Sequence, residues 1–467
     1  MFLYILITTL LCLAGVMLAR HRNMVNLCGS MFFVTQISLA IYAVINIGKV
    51  YWSFFTLDHM GVTYLCMMSA IGLLTAWRSN SYLDSESLRH RKIYFVSLIT
   101  LSLTLTGVYL SNNLAVTWIF LEATTVATAG LTYHRRTGRA LEATWKYIFV
   151  SSVGIAIAYL GVLLLSTASP DTLSYQGLGT ALAAGGNPLY IRLAFLFILV
   201  GYSTKLEIFP LFTVGVDANH SSPTPASAFI SSALVGGGFV ALLRVYLVMQ
   251  HSSEINWVRG VLLVVAVLSI VAAAVYLGRT NNYKRLLAYS TLENSGLMML
   301  GLGLGLGGVG VVAAVLHSLA HTLIKGAAYL QMSVVGRMYR TYRVGRVGGY
   351  AAADPLGALV LMLSMVALVA VPPSVLFRSE FLMFSHLLTM PSWWLIFVIV
   401  LPLLVCLYWL VSKILQILYR PIEAKCVALG ERDSVLSWAL LVVMAVVFYF
   451  GAMDSDFLTN LINKIIQ

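Results

Sequence analysis

The stretch Val312–Val335, VAAVLHSLAHTLIKGAAYLQMSVV, places three ionisable residues, His317, His321 and Lys325, in a run that is otherwise almost wholly apolar or small. Their spacing of i, i+4 and i+8 stacks them along one face of a single helix. A helix this long and this apolar is expected in a bilayer. Ionisable groups at that depth are costly, and they line a bundle interior or a water-filled path. The stretch therefore predicts an all-α polytopic membrane protein organised around a polar axis.

Composition agrees. Hydrophobic residues make up 60% of the 467 residues and charged residues 10%, and the mean hydropathy is +0.90. Soluble domains carry about 25% charge, so a soluble globular protein is excluded and no room remains for a separate soluble catalytic domain. The net charge is +12, but Lys and Arg sit in short loops between apolar segments, as the positive-inside rule requires, rather than in a nucleic-acid surface. The five cysteines, Cys12, Cys28, Cys66, Cys406 and Cys426, form no CxxC pair, which argues against an iron–sulfur cluster, a zinc site or a disulfide framework. Phe2–Leu18 has no charged segment before it and is followed by Arg20 and Arg22. It reads as a first span, not a signal peptide.

Hydropathy predicts about fourteen spans of roughly twenty residues. They lie near 2–19, 26–47, 56–77, 92–111, 113–133, 142–166, 189–212, 223–249, 257–278, 285–305, 309–335, 354–372, 392–418 and 433–452. With the N-terminus outside, the inside loops hold Arg20 and Arg22; Arg78, Arg89, Arg91 and Lys92; Arg135, Arg136 and Arg139; Arg279, Lys284 and Arg285; Arg337, Arg340, Arg343 and Arg346; and Lys413, Arg420, Lys425 and Arg432, while the outside segment from Ser166 to Asn187 has no Lys or Arg. An even count puts both termini outside, which suits the acidic tail at Asp454 and Asp456.

More ionisable residues fall within the spans. Glu122 lies in the fifth, Lys146 opens the sixth, and Lys205 sits in the seventh with Glu207 two residues on. Pro210 is expected to break that helix. The segment VDANHSSPTP follows, with Asp217, His220, Pro223 and Pro225. The second half echoes this order. Glu293, like Glu122, follows a leucine and precedes Gly–Leu by eight residues; Lys325 follows it; then Pro372–Pro373 with Arg378 and Glu380. Two units with five spans between matching elements are inverted relative to each other, an arrangement transporters use.

The row Glu122, Lys205, His317, His321, Lys325 and Glu380 reads as a proton path, since an acid beside a lysine shifts both proton affinities and histidine relays near neutral pH. The competing reading is structural ion pairing between helices. Metal binding by His317 and His321 lacks an HExxH glutamate and a third ligand at suitable spacing. Gly303, Gly305 and Gly308 fit GxGxxG with no strand before them, so close helix packing is the better reading.

These motifs resemble a known family. WIFLEATTVATA, EATWKY, YKRLLAYSTLENSGL, HSLAHTLIKGAAYL and FRSEFL look like the Mrp-antiporter-like membrane subunits of respiratory complex I and group 4 hydrogenases, and most like the F subunit of hydrogenase-4 type complexes. The resemblance covers about residues 50–420. It implies two inverted five-helix repeats, spans 4–8 and 9–13, within segments 1–90, 91–250, 251–420 and 421–467. It implies that Glu122 and Lys205 are the central acid–lysine pair, that His317, His321 and Lys325 form the connecting axis, that Glu380 is the terminal acid, and that Lys146 is accessory. It also implies a proton-translocating subunit in a bacterial or archaeal cytoplasmic membrane. Other membrane subunits and a soluble redox module would be its partners, with no cofactor and no catalytic residue in this chain. A sodium/proton antiporter subunit, an inorganic-carbon uptake subunit and a non-conducting anchor are the alternatives. Two departures stand out. The eighth span, SALVGGGFVALLR, has Gly236 where relatives often carry a lysine, and LFTVGVDANH keeps only Asp217 and His220 of an HTWLPDAH-like turn. Water held between Gly236, Gly237 and Gly238 is the expected bridge across that gap.

Overall fold

The computed structural model describes residues 2–169, 172–305, 308–389, 394–421, 432–453 and 455–466; Lys425, Cys426 and Asp454 lie outside the described residues. The chain divides into two compact units, Met1–Val261 with Lys464–Gln467, and Leu262–Asn463.

The first unit contains α1 (Phe2–Leu18), α2 (Arg22–Ile45), a small hairpin of β1 (Val50–Tyr51) and β2 (Phe55–Thr56), α3 (His59–Tyr82), α4 (Leu88–Leu110), α5 (Leu114–Thr132) and α6 (Gly138–Ser166). It continues with α7 (Tyr175–Ala184), α8 (Pro188–Leu206), α9 (Thr213–Ser221), α10 (Thr224–Phe229), a π-helical turn at Ile230–Leu234 and α11 (Val235–Met249). Helix α12 (Ile255–Arg279) begins in this unit and runs into the second. There follow α13 (Tyr283–Leu304), α14 (Val309–Tyr339), α15 (Tyr350–Ala353), α16 (Pro355–Leu368), α17 (Val375–Leu387), α18 (Trp394–Tyr419), α19 (Ser434–Ala452) and α20 (Ser455–Ile466). Among the described residues, eleven helices are long and apolar enough to cross a membrane, and Leu3–Leu18 and Pro355–Leu368 are shorter apolar helices. The protein is an all-α, multi-pass membrane protein.

Local sequence sets the helix starts. Asp58, Ser87, Asn113, Thr137, Asn187 and Asn282 each accept a hydrogen bond from a backbone amide in the first turn of the helix that follows. Such caps satisfy donors that have no partner within the helix. The same rule starts α16 at Asp354 and α17 at Ser374.

The structure departs from the predicted spans around the prolines. The seventh span, expected to run to 212, ends at Leu206, where Glu207 adopts left-handed backbone at φ 56. The segment VDANHSSPTP that follows the break is largely helical, as α9 and α10. The π-helical turn then shifts the register by one residue, which leaves a carbonyl without its α-helical partner. The Tyr109 hydroxyl donates to Ala233 O at 2.7 Å there.

Candidate functional site

Each unit buries a lysine beside hydroxyl groups, and the first unit does so at the break after α8. Lys205 is 1% exposed. Its Nζ donates to Thr125 Oγ1 at 2.7 Å and to Tyr147 Oη at 3.4 Å, and it lies 5.2 Å from the centre of the Tyr147 ring. Thr125 Oγ1 in turn donates to Glu122 Oε2 at 3.4 Å, and Ser152 Oγ donates to Glu122 Oε1 at 2.7 Å. The expected acid–lysine pair is therefore bridged by a hydroxyl. A hydroxyl has one proton and two lone pairs, so Thr125 accepts from the ammonium while donating to the carboxylate. Thr125 sits three residues after Glu122, on the same face of α5.

Glu207, at the left-handed turn, is 2% exposed, and its Oε1 accepts from Asn219 Nδ2 at 2.6 Å. Asn219 lies on α9 between Asp217 and His220, which are themselves half-buried. Asn219, which the sequence reading passed over, reaches the site. Lys146 is placed elsewhere. Its side chain is 55% exposed and pairs with Glu142 one turn before it.

A Cβ at Gly236 would meet Tyr64 at 3.3 Å and the Tyr109 hydroxyl at 3.4 Å; one at Gly237 would meet Leu105 at 2.8 Å; one at Gly238 would meet Lys205 itself at 3.1 Å. The three glycines let α11 pack closely against Lys205 and the aromatic residues of α3 and α4.

In the second unit, His317, His321 and Lys325 lie along α14 as their spacing predicts, at 0%, 1% and 0% exposure. Lys325 Nζ donates to Leu287 O at 2.8 Å and to Ser290 Oγ. His317 is held from both sides: Nε2 bonds Asn294 Oδ1 at 3.2 Å, and Nδ1 bonds Ser379 Oγ at 2.9 Å. The Asn294 amide nitrogen donates to Ser290 O, so its oxygen faces the histidine and Nε2 carries the proton. Ser379 Oγ is also placed to donate to Leu376 O at 2.8 Å. If the hydroxyl proton points at Leu376 O, Nδ1 is a donor and the ring is charged. If it points at Nδ1, the ring is neutral. One hydroxyl rotation thus accommodates either state of His317. His321 differs, since its Nε2 has no hydrogen-bond partner among the described residues. Glu293 is within electrostatic range of Lys325, and Glu380 of Glu293; Glu380 is half-buried on α17. Ser290, Glu293 and Asn294 share one face of α13 by their spacing, the signal that would have identified Ser290 and Asn294 from sequence.

Two further polar clusters were not foreseen. Arg244, on α11, is buried and ties the start of α3 to the end of α4. It donates to both oxygens of Asp58 at 3.0 Å and to Tyr109 O at 2.6 Å. A cavity of about 430 Å³ beside it is lined by Asp58, Ser111, Tyr175, Arg244 and His251, among others. At the opposite end of α4, Glu86 lies 3.3 Å from His90 Nδ1 and 3.7 Å from the buried His134 Nε2. Burial pushes His134 down to about 4; Glu86 opposes that shift, and His90, Arg135 and Arg136 add to it. Among the described residues, no three His, Cys, Asp or Glu side chains are grouped to hold a metal ion.

The structure is thus that of a multi-pass helical membrane protein with one buried lysine bridged by a hydroxyl to an acid and a second buried lysine on the same helix as two buried histidines. Residues 111–405 match the family described as NADH:quinone oxidoreductase/Mrp antiporter, TM, and the chain belongs to that family. It is 29% identical over 350 residues to the hydrogenase-4 component F homologue of Methylacidiphilum infernorum, covering 71% of this chain and 72% of that one. Its fold is similar to a chain of the membrane-bound sulfane sulfur reductase, an archaeal respiratory membrane complex, with a TM-score of 0.88, 22% identity and coverage of 99% and 95%. It is also similar to a chain of the Mrp complex from a Dietzia species, with a TM-score of 0.86, 18% identity and coverage of 99% and 96%.

Proposed function

We propose that this chain is the ion-translocating membrane subunit of a complex-I-like or hydrogenase-4-like redox complex, and that the ion is the proton. The observation that carries this reading is the bridge Glu122–Thr125–Lys205. A buried ammonium linked to a carboxylate through one hydroxyl exchanges a proton with a small movement of either partner. Lys205 holds the mobile proton, and Glu122 tunes it through distance. His317, His321 and Lys325 form a second exchange cluster, with Glu380 as its outlying acid. The two clusters belong to inverted five-helix repeats within fourteen spans. Loop charge supports termini on the outer side of a bacterial or archaeal cytoplasmic membrane. Electron transfer takes place on partner subunits.

The test is purification in mild detergent with identification of the co-purifying chains. A peripheral redox module, together with other membrane subunits, is expected. Recovery of small membrane subunits alone would overturn the redox part of the proposal, and sodium-dependent flux would replace the proton with sodium.

A further inference from the structure

We infer that Glu207 is a proton-accepting carboxyl that serves Lys205 alongside Glu122. The inference rests on the proton-carrying reading of Lys205 and adds a second acceptor to it. Four observations converge on this residue.

First, Glu207 occupies left-handed backbone, φ 56 and ψ 37. Side-chain-bearing residues are uncommon there and glycine is favoured. A glutamate held in that conformation is a cost the surrounding structure sustains, and such positions cluster at functional sites. Second, the fold makes room for the carboxyl. A Cβ at Gly215 would lie 2.3 Å from Glu207 Cγ and 2.7 Å from its Oε1, so any larger residue on that turn of α9 would displace the acid. Third, the carboxyl is buried and held in place by Asn219 Nδ2 at 2.6 Å. Asn219 is itself 0% exposed, and its Oδ1 has no hydrogen-bond partner among the described residues. A spare buried acceptor beside a carboxyl is satisfied by a water or by a protonated acid. Fourth, Tyr147, which accepts from Lys205, lies within electrostatic range of both Glu122 and Glu207. Glu207 follows Lys205 by two residues, at the point where α8 stops. Tyr147, in contact with the lysine, thus has one acid on α5 and another at the break before α9 within electrostatic range.

The step balances without a co-reactant. An N–H bond of the Lys205 ammonium breaks and an O–H bond forms on the Glu207 carboxylate, leaving a neutral amine and a neutral acid. The reverse step restores the ion pair. A proton held on Glu207 frees Lys205 to accept the next one from Glu122.

A purely structural role, with Asn219 and Glu207 clasping α9 to the end of α8, makes a different forecast. Glu207→Gln keeps the length, the volume and an oxygen to accept from Asn219, but it cannot take a proton. The experiment measures proton flux, with an enclosed pH-sensitive dye, in vesicles holding the intact complex. In the Glu207→Gln complex, flux is expected to fall about ten-fold or more with assembly unchanged. Wild-type flux in Glu207→Gln would overturn the inference and leave the clasp. Glu207→Asp, which still titrates, is expected to retain flux with a displaced pH profile; an unchanged profile would also overturn it. Lys205→Met in the same vesicles separates the two levels. Flux lost in Lys205→Met and intact in Glu207→Gln contradicts only the role of Glu207. Absence of flux from the wild-type complex contradicts proton translocation itself.

Discussion

The two buried lysines are held in different ways. Lys205 touches a threonine hydroxyl that also touches a carboxylate, with a tyrosine ring beside the ammonium. Lys325 bonds a backbone carbonyl and a serine, and histidines occupy the two preceding turns of its helix. In the first cluster the proton's alternatives are acids, so small changes in distance decide where it rests. In the second, His317 sits between a fixed amide acceptor and a hydroxyl that turns either way, so on the proposed function the ring takes up or gives up a proton at Nδ1 without moving the helix. On the proposed function, the first arrangement suits a switch and the second a relay, although both halves of the sequence present the same order of acid, lysine and proline.

Three changes test that contrast. Lys205→Met removes the switch and is expected to lower proton flux by about a hundred-fold or more; loss of only a few-fold would mean that the first cluster is not essential. Ser379→Ala removes the rotating hydroxyl but leaves His317 and Asn294 in place. It is expected to slow flux by about ten-fold, and the slowing should be greater in heavy water than in the wild type. An unchanged rate would show that His317 does not relay. The smallest expected effect concerns stability. The buried His134 is held at about 4 in the folded protein, against about 6.5 when unfolded. Between those values the unfolded chain binds more protons, so stability is complete above about pH 6.5 and falls as pH drops towards 4, by up to about 3 kcal/mol. His134→Gln should flatten the dependence of melting temperature on pH in that window, and a curve identical to the wild type would remove His134 as its cause.

Much of the architecture was legible because a bilayer imposes simple rules. Apolar length marked the spans, while the capping residues that start the helices, such as Asn113 and Asn282, were not read from the sequence. The i, i+4, i+8 spacing of His317, His321 and Lys325 fixed a common face before any coordinates. Residues that act by contact across helices were harder to see. Thr125, Asn219 and Ser379 are ordinary polar residues whose importance comes from what another helix brings to them. Lys146 shows the reverse: a charge inside an apolar run, yet exposed and paired within its own helix. The glycines of α11 show the same difficulty. A missing side chain indicates room, but not whether a neighbour has taken it, and here Tyr64, Leu105 and Lys205 have.

The hydroxyl bridge between Glu122 and Lys205 is tested most directly by proton flux into vesicles carrying the intact complex with Thr125→Ser or Thr125→Val. Serine keeps the hydroxyl, and valine keeps nearly the shape without it. Flux close to wild type in Thr125→Ser and about ten-fold lower in Thr125→Val is the expected result. Equal flux in Thr125→Val and wild type would contradict proton exchange through the Glu122–Thr125–Lys205 bridge.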